Sequence, residues 1–250
     1  MIESIKYAYR GYRFRYKIDP NEIKYIIENI NEGNVAIDIG AHKGGYLYWM
    51  QKGVKKAGKV YAFEPQKKLF NYLTEKTPLK QYENVIIENL GLSSTETEVT
   101  FYVPKTSKGD SPGARIDFLK DGNQYDESKI QTTTLDKYFF DRQIQPHLIK
   151  IDVEGHEKQV LEGGIELLKT SQPKIIMECE NRHLSEGDIF DVFEVLIELG
   201  YNGYYFKNNK LKSIKGFDAE IHQKVTEGRF WEADDYINNF IFESSRTRTN

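Results

Sequence analysis

The sequence predicts an α/β fold in which a largely parallel sheet carries helices on both faces. Three observations predict it. From Asn34 onward short apolar runs alternate with helical stretches, a glycine-rich turn joins the first run to the first helix, and an acidic residue closes the second run. At 250 residues the chain suits one large domain with modest additions, long enough to bury a full core.

Residues 1–33 read as a basic, aromatic, helical extension. Lys6, Arg10, Arg13, Arg15 and Lys17 interleave with Tyr7, Tyr9, Tyr12, Phe14 and Tyr16. An Asp19-Pro20-Asn21-Glu22 helix start then leads into Ile23, Ile26, Ile27 and Ile30 at helical spacing. The main domain is expected over 34–243. Its strands fall at 35–39, 59–63 and 84–88, with helices at 44–56 and 66–76 between them. An additional strand at 98–103 precedes a long loop, 104–130, rich in Gly, Ser, Lys and Asp, a length typical of lids and binding loops. Regularity resumes with a strand at 148–153, a helix at 156–169 and a strand at 174–179. A helix follows at 185–199, with Ser185 and Asp188 spaced as a capping box. Closing strands are expected at 201–206 and 236–242, and 244–250 is a polar tail.

Hydrophobic residues at 39% and charged residues at 29% exclude a disordered chain. The balance of 35 Lys and Arg against 38 Asp and Glu, a net −3, argues against a generally basic nucleic-acid binder. The single cysteine, Cys179, excludes an internal disulfide and any Cys-only metal site; it reads as a buried strand residue. No stretch approaches the roughly 20 apolar residues of a membrane span. The first residues lack a signal-peptide apolar core, so the expected location is cytoplasmic. Aromatics reach 13%, led by 17 tyrosines, which implies an aromatic ligand surface or a core built from amphipathic rings.

The first strand ends in Asp38-Ile39-Gly40-Ala41-His42-Lys43-Gly44-Gly45, the place to look for a nucleotide-type cofactor. A dinucleotide fingerprint would set a glycine where His42 stands, and the Asp38 carboxylate would repel a pyrophosphate. The same carboxylate favours ammonium and sulfonium charges, worth about 1 kcal/mol at ~4 Å in water and about 4 at an effective dielectric near 20. S-adenosylmethionine (AdoMet) fits. Glu64 closes the second strand 19 residues after Gly45, placed to accept ribose hydroxyls, and Pro65 starts the next helix.

Four blocks then occur in order: Val35-Ala36-Ile37-Asp38-Ile39-Gly40 running to Gly44, Tyr61-Ala62-Phe63-Glu64-Pro65, Asn89-Leu90-Gly91-Leu92-Ser93-Ser94, and Ile149-Lys150-Ile151-Asp152-Val153-Glu154-Gly155 continuing to Gly163. From about residue 34 to about residue 180 the chain resembles the FkbM family of AdoMet-dependent methyltransferases. The resemblance implies a class I methyltransferase (Rossmann-like) fold, a seven-stranded mixed sheet whose last strand is antiparallel. It also implies methyl transfer to a hydroxyl of a sugar, glycan or glycosylated small molecule. By residue it implies that Asp38 and Gly40 border the methionine part of the cofactor, with His42 and Gly44 completing the turn. Glu64 would hold the ribose, Asn89 and Leu90 would lie near the adenine, and Asp152 beside the reactive methyl.

Ligands of open α/β sheets bind beyond the carboxyl ends of the strands, where Asp152, Glu154, Glu178 and Glu180 fall. Asp152 is the first choice for general base, then Glu154, with His183 as the alternative facing the cleft. A rival arrangement has Asp152, Glu154 and Glu180 gathering a divalent metal such as Mg²⁺. His156 is expected as a first-turn helix residue at the surface, His42 as a shaper of the turn, and Lys150 deeper in the sheet. One of Tyr46, Tyr48 and Trp49 would touch the cofactor while the others pack. The N-terminal rings are expected to pack onto the domain. Together with Tyr102 or Tyr125 they are also candidates for stacking on a sugar. Two other functions compete: an RNA ribose 2′-O-methyltransferase, prompted by the basic aromatic N-terminus, and a non-catalytic AdoMet-binding module.

Overall fold

The computed structural model describes residues 2–105, 113–118, 122, 124–233 and 235–245. It opens with two helices, α1 (Ile2–Arg13) and α2 (Pro20–Asn29), joined by a wider π-type turn, Phe14–Ile18. The alternating region follows as β1 (Val35–Ile39), α3 (Gly45–Val54), β2 (Lys59–Phe63), α4 (Lys67–Asn71) and β3 (Val85–Glu88). A side sheet comprises β4 (Gly91–Leu92), β5 (Glu98–Pro104) and β6 (Tyr125–Thr133). The chain then returns through β7 (Leu148–Ile151), α5 (Glu157–Glu162), α6 (Ile165–Ser171), β8 (Lys174–Glu178) and α7 (Ile189–Glu198). It closes with β9 (Tyr201–Lys207), β10 (Lys210–Ser213) and β11 (Asn239–Ser244).

The main sheet has the order β10-β9-β11-β8-β7-β1-β2-β3. Strands β3, β2, β1, β7 and β8 run parallel, and β11 lies antiparallel between β8 and β9. Eight strands replace the expected seven. The extra one, β10, arises because Asn208 and Asn209 both adopt positive φ (52° and 57°), the two-residue hairpin turn that asparagine tolerates.

Strand alternation divides the core. Ile37, Ile39, Tyr61, Phe63, Ile149, Ile151 and Met177 face one side, packed by α5 to α7 and the Tyr138–Phe139 pair. Ala36, Val60, Ala62, Leu148 and Ile176 face the other, beneath α1 to α3. Cys179 is buried just beyond β8.

The expected loop 104–130 is a strand for part of its length, since β6 pairs antiparallel with β5 from Pro104↔Tyr125 to Glu98↔Gln131. Residues 106–112, 119–121 and 123 of that stretch lie outside the described residues, as do 246–250 of the tail. The helix expected over 156–169 is two, divided at Gly163–Gly164, where Gly163 abuts the Ser93 carbonyl and Gly164 abuts Leu135. The helix expected from 185 begins at Ile189. Asp188, not Ser185, caps it, accepting from the Phe190 and Asp191 amides in a reciprocal box with Asp191. The last strand starts at Asn239 rather than 236. Among the described residues no helix is long and apolar enough to cross a membrane.

Of the N-terminal rings, Tyr7, Tyr12 and Phe14 pack on the domain, whereas Tyr9 and Tyr16 are exposed. Tyr7 is buried edge-on against Tyr48, Tyr12 meets Tyr48 and Trp49, and Trp49 donates Nε1–H to the Gly11 carbonyl at 2.8 Å. Gly11 permits this approach: a Cβ there would lie 2.3 Å from the Tyr48 ring. Gly11→Val should therefore cost about 2 kcal/mol by overpacking. In a chain of this size that lowers the melting temperature by roughly 4–8 °C, readable by calorimetry.

Candidate active site

Register and strand period together assemble the site. Asp38 pairs in register with Ala62 on one side and Lys150 on the other, and Lys150 pairs with Ile176. Two residues further along these strands, on the same face, stand Glu64, Asp152 and Glu178. All five polar side chains thus emerge at the carboxyl end of the sheet, under α1 and α2. They line a cavity of about 1330 Å³, roofed by Arg10, Arg13, Phe14, Asp19 and Glu22.

The glycine turn is built for close approach. Gly40 has φ +79°, and a Cβ there would lie 1.9 Å from the Asp152 carbonyl oxygen, so no other residue fits between β1 and β7. The Gly40 and Ala41 amides both donate to Phe63 O, which ties the turn to the end of β2. His42, at φ +48°, shapes the turn and donates its backbone N–H to Glu64 Oε2 at 2.7 Å, while the Gln66 amide donates to Oε1 at 2.8 Å. Each Glu64 oxygen keeps a further acceptor position for a hydroxyl. Burial, with Asp38 and Asp152 nearby, outweighs these amides and pushes the Glu64 carboxyl up to about 7.

Lys150 is the buried cation of this cluster. Its Nζ lies 2.6 Å from Asp152 Oδ2 and 4.8 Å from the centroid of Tyr46. Burial opposes its charge, but Asp152, Asp38 and Glu178 together raise its pKa. Lys150 therefore stays protonated and faces the cavity, where the sequence placed it deeper. Its long stem carries the ammonium past the strand end. Burial pushes Asp38 up to about 6 and Glu178 well above the usual carboxylate range. Glu154 sits at φ +56°, a conformation costing a non-glycine residue about 1 kcal/mol or more. This turn brings its Oε2 3.0 Å from His183 Nδ1. Burial raises the Glu154 pKa and lowers that of His183 to about 4, so burial works against an ion pair at this contact.

The remaining expected site residues separate. Leu90 lines the cavity, whereas Asn89 lies behind it and donates Nδ2–H to the Glu64 and Pro65 carbonyls. Gly44 packs against Tyr7, where a Cβ would lie 2.8 Å from the ring. His183 supports Glu154 and is not part of the cavity wall. His156 is not at the surface: it is buried between Ser93 Oγ (2.9 Å) and Asp117 Oδ2 (2.5 Å). Tyr46 reaches the cavity, while Tyr48 and Trp49 pack on α1. Tyr102 and Tyr125 cluster with Phe118 on the side sheet, whereas Trp231, Tyr236 and Phe206 are among the aromatic residues that line the cavity.

The three carboxylates of the rival metal arrangement are each engaged by other side chains, with His183 near both Glu154 (3.0 Å) and Glu180 (4.0 Å). Asp152 engages Lys150, Glu154 engages His183, and Glu180 engages Arg182 and Tyr236. Among the described residues no group of three His, Cys, Asp or Glu is arranged to hold a metal ion.

AdoMet suits the other half of the site. Asp38 Oδ2 is buried without a hydrogen-bond partner among the described residues, an acceptor for an ammonium. Glu64 retains acceptor capacity for the ribose, and Gly40 leaves the floor open between them.

This strand order, with a cofactor turn after β1 and an antiparallel β11 inserted beside β8, defines a class I AdoMet-dependent methyltransferase. Residues 38–206 match the Methyltransferase FkbM domain, and the chain belongs to that family. It is 30% identical over 149 residues to the hexuronic acid methyltransferase AglP of Haloferax volcanii. That match spans 59% of this chain and 57% of AglP, little more than half its length. Methyltransferase FkbM from Methylobacillus flagellatus KT is similar in structure, with 14% identity and TM-score 0.48 over 96% of this chain and 54% of that one. So is a precorrin-6y C5,15-methyltransferase from Geobacter metallireducens GS-15, with 12% identity and TM-score 0.47 over 89% of this chain and 88% of that one.

The raised carboxyls give the cofactor-free protein a pH signature. Asp38 at about 6 and Glu64 at about 7 lie above their ordinary values of 3.8 and 4.5, so the native state holds protons that the unfolded chain has lost. Their favourable contribution is complete below about pH 4 and is lost as pH rises through 6 to 7. Between pH 5 and 8 the melting temperature of cofactor-free protein should fall. Asp38→Asn with Glu64→Gln should flatten that slope in thermal scans and weaken AdoMet binding at least tenfold by calorimetry.

Proposed function

We propose that the protein is an O-methyltransferase that moves the methyl group of AdoMet to a hydroxyl of a sugar or glycoconjugate. The observation that carries this reading is the position of Asp152. Its carboxylate is the partly open group between the Asp38–Glu64 cofactor floor and the remaining cavity, with 31% of its side chain exposed. The cavity exceeds the about 300–1,000 Å³ of an ordinary single-ligand pocket, so cofactor and acceptor fit side by side. Similarity to a hexuronic acid methyltransferase supports a sugar acceptor.

When bound, AdoMet supplies an electrophilic sulfonium methyl. The chain contributes position and charge. Lys150 engages one oxygen of Asp152 and fixes its orientation, leaving the other to accept a hydrogen bond from the acceptor hydroxyl. Asp152 would take the proton that this hydroxyl gives up on methylation, the sulfonium C–S bond breaking as the C–O bond forms. Glu154 and His183 occupy one another and act by holding the turn that presents Asp152. The neutral wall from Asn208, Asn209, Asn238 and Asn239 offers amides to the other hydroxyls of a sugar.

Radiolabelled methyl transfer from AdoMet onto a panel of glycosides, nucleotide sugars, glycolipids and short RNAs tests the reading. It expects label on a sugar hydroxyl and is contradicted by label on RNA alone. Asp152→Asn should lower kcat by about 10²–10⁴-fold while AdoMet affinity stays within a few-fold of wild type. Turnover within tenfold of wild type would move the base elsewhere.

A further inference from the structure

We propose that Arg13 and Lys17 form a subsite for an anionic group on the acceptor, so that the sugar taken is an acidic one, bearing a carboxylate or a phosphate. This deepens the sugar reading and rests on it. Arg10, Arg13, Phe14 and Lys17 follow helical spacing along the segment from α1 into the π-type turn, so one stripe of it faces the cavity. The stripe spans about 10 Å at 1.5 Å per residue.

Its two ends differ. Arg10 donates to the Lys43 carbonyl at 3.0 Å and to Tyr72 Oη at 3.2 Å, and its guanidinium lies 5.6 Å from the Tyr72 centroid. It is therefore committed to the glycine turn at the cofactor end. Arg13 and Lys17 line the cavity beyond it, exposed, with no hydrogen bond or ion pair among the described residues. They are four positions apart, a spacing that sets helical Cβ atoms about 6 Å from one another, so both long side chains reach one carboxylate or phosphate.

The wall around them is made for a polar ring. Asn239 is nine-tenths buried and lines the cavity, and its Oδ1 has no hydrogen-bond partner among the described residues, an acceptor for a ligand hydroxyl. Trp231 offers an exposed ring at the mouth, with the Arg182 guanidinium 5.8 Å from its centroid. Asp19 and Glu22 border the same region. Burial, aided by Asp19, raises Glu22 to about 8, which weakens its opposition to an anion, while Asp19, raised to about 6, accepts from Tyr46 Oη at 3.0 Å. A nucleic acid backbone needs a track of cations, and two side chains serve a single anionic group.

Calorimetry on the S-adenosylhomocysteine-loaded protein tests this without requiring turnover. The probes are methyl β-glucuronide, its neutral carboxamide, methyl β-glucoside, glucose 1-phosphate and a short single-stranded oligoribonucleotide. At least one of the two anionic sugars should bind tenfold or more tightly than the glucoside and the carboxamide, and which one does so separates carboxylate from phosphate. Arg13→Ala with Lys17→Ala should abolish that preference, with S-adenosylhomocysteine affinity within twofold and an unchanged melting temperature. Equal binding of neutral and anionic sugars, or a preference that survives the double variant, overturns the subsite and leaves the sugar reading standing. Binding of the oligoribonucleotide in preference to every sugar, or binding of no probe, overturns both.

Discussion

The site depends on one buried cation. Lys150 is 2% exposed and stands among Asp38, Asp152 and Glu178 at the carboxyl end of the sheet. An isolated ammonium at such depth would shed its proton, and isolated carboxylates would keep theirs. Placed together, they hold one another in position: Lys150 fixes Asp152, and the residual negative charge of the cluster is what a sulfonium and an ammonium can meet. The same arrangement carries a stability cost, since taking charges out of water is only partly offset by their attraction. Raised carboxyl pKa values on Asp38, Glu64, Glu154 and Glu178 share one cause, burial around a cavity.

Around this cluster the backbone is shaped for access. Gly40 at positive φ lets β1 pass the Asp152 carbonyl, and Glu154 at positive φ turns the chain immediately beyond it. A second layer holds the turn in place. Ser93, before β5, and Asp117, beyond it, both bond to His156, which begins the helix after the Asp152 turn. Ala114 and Ile116, near Asp117, line the cavity, so this contact connects the side sheet to the turn after Asp152.

Much of this was legible in the sequence because it is local. Apolar runs ending in Asp38, Glu64 and Asp152 mark strands whose carboxyl ends hold acids, and period two puts Lys150 on the face of Asp152. What period alone could not tell was how far the lysine stem reaches. The strand at 98–103 was expected, but its partner β6 was not, because residues 126–129 of β6 are all exposed, which removes the alternation that marks a strand. The hairpin that adds β10 was signalled by Asn208-Asn209, whose left-handed turn follows from asparagine chemistry. His156 misled because its partners lie 63 and 39 residues away, and no local pattern carries such contacts. Asn89, which the family resemblance places near the adenine, turns its amide to the Glu64 and Pro65 carbonyls and closes the β2 turn.

A crystal structure with S-adenosylhomocysteine bound measures the central claim most directly. If the acidic floor is the cofactor site, the ribose hydroxyls will bond Glu64, the amine will bond Asp38, and the sulfur will face Asp152 across the open half of the cavity. A cofactor bound away from Asp38 and Glu64, or a sulfur turned from Asp152, would contradict it.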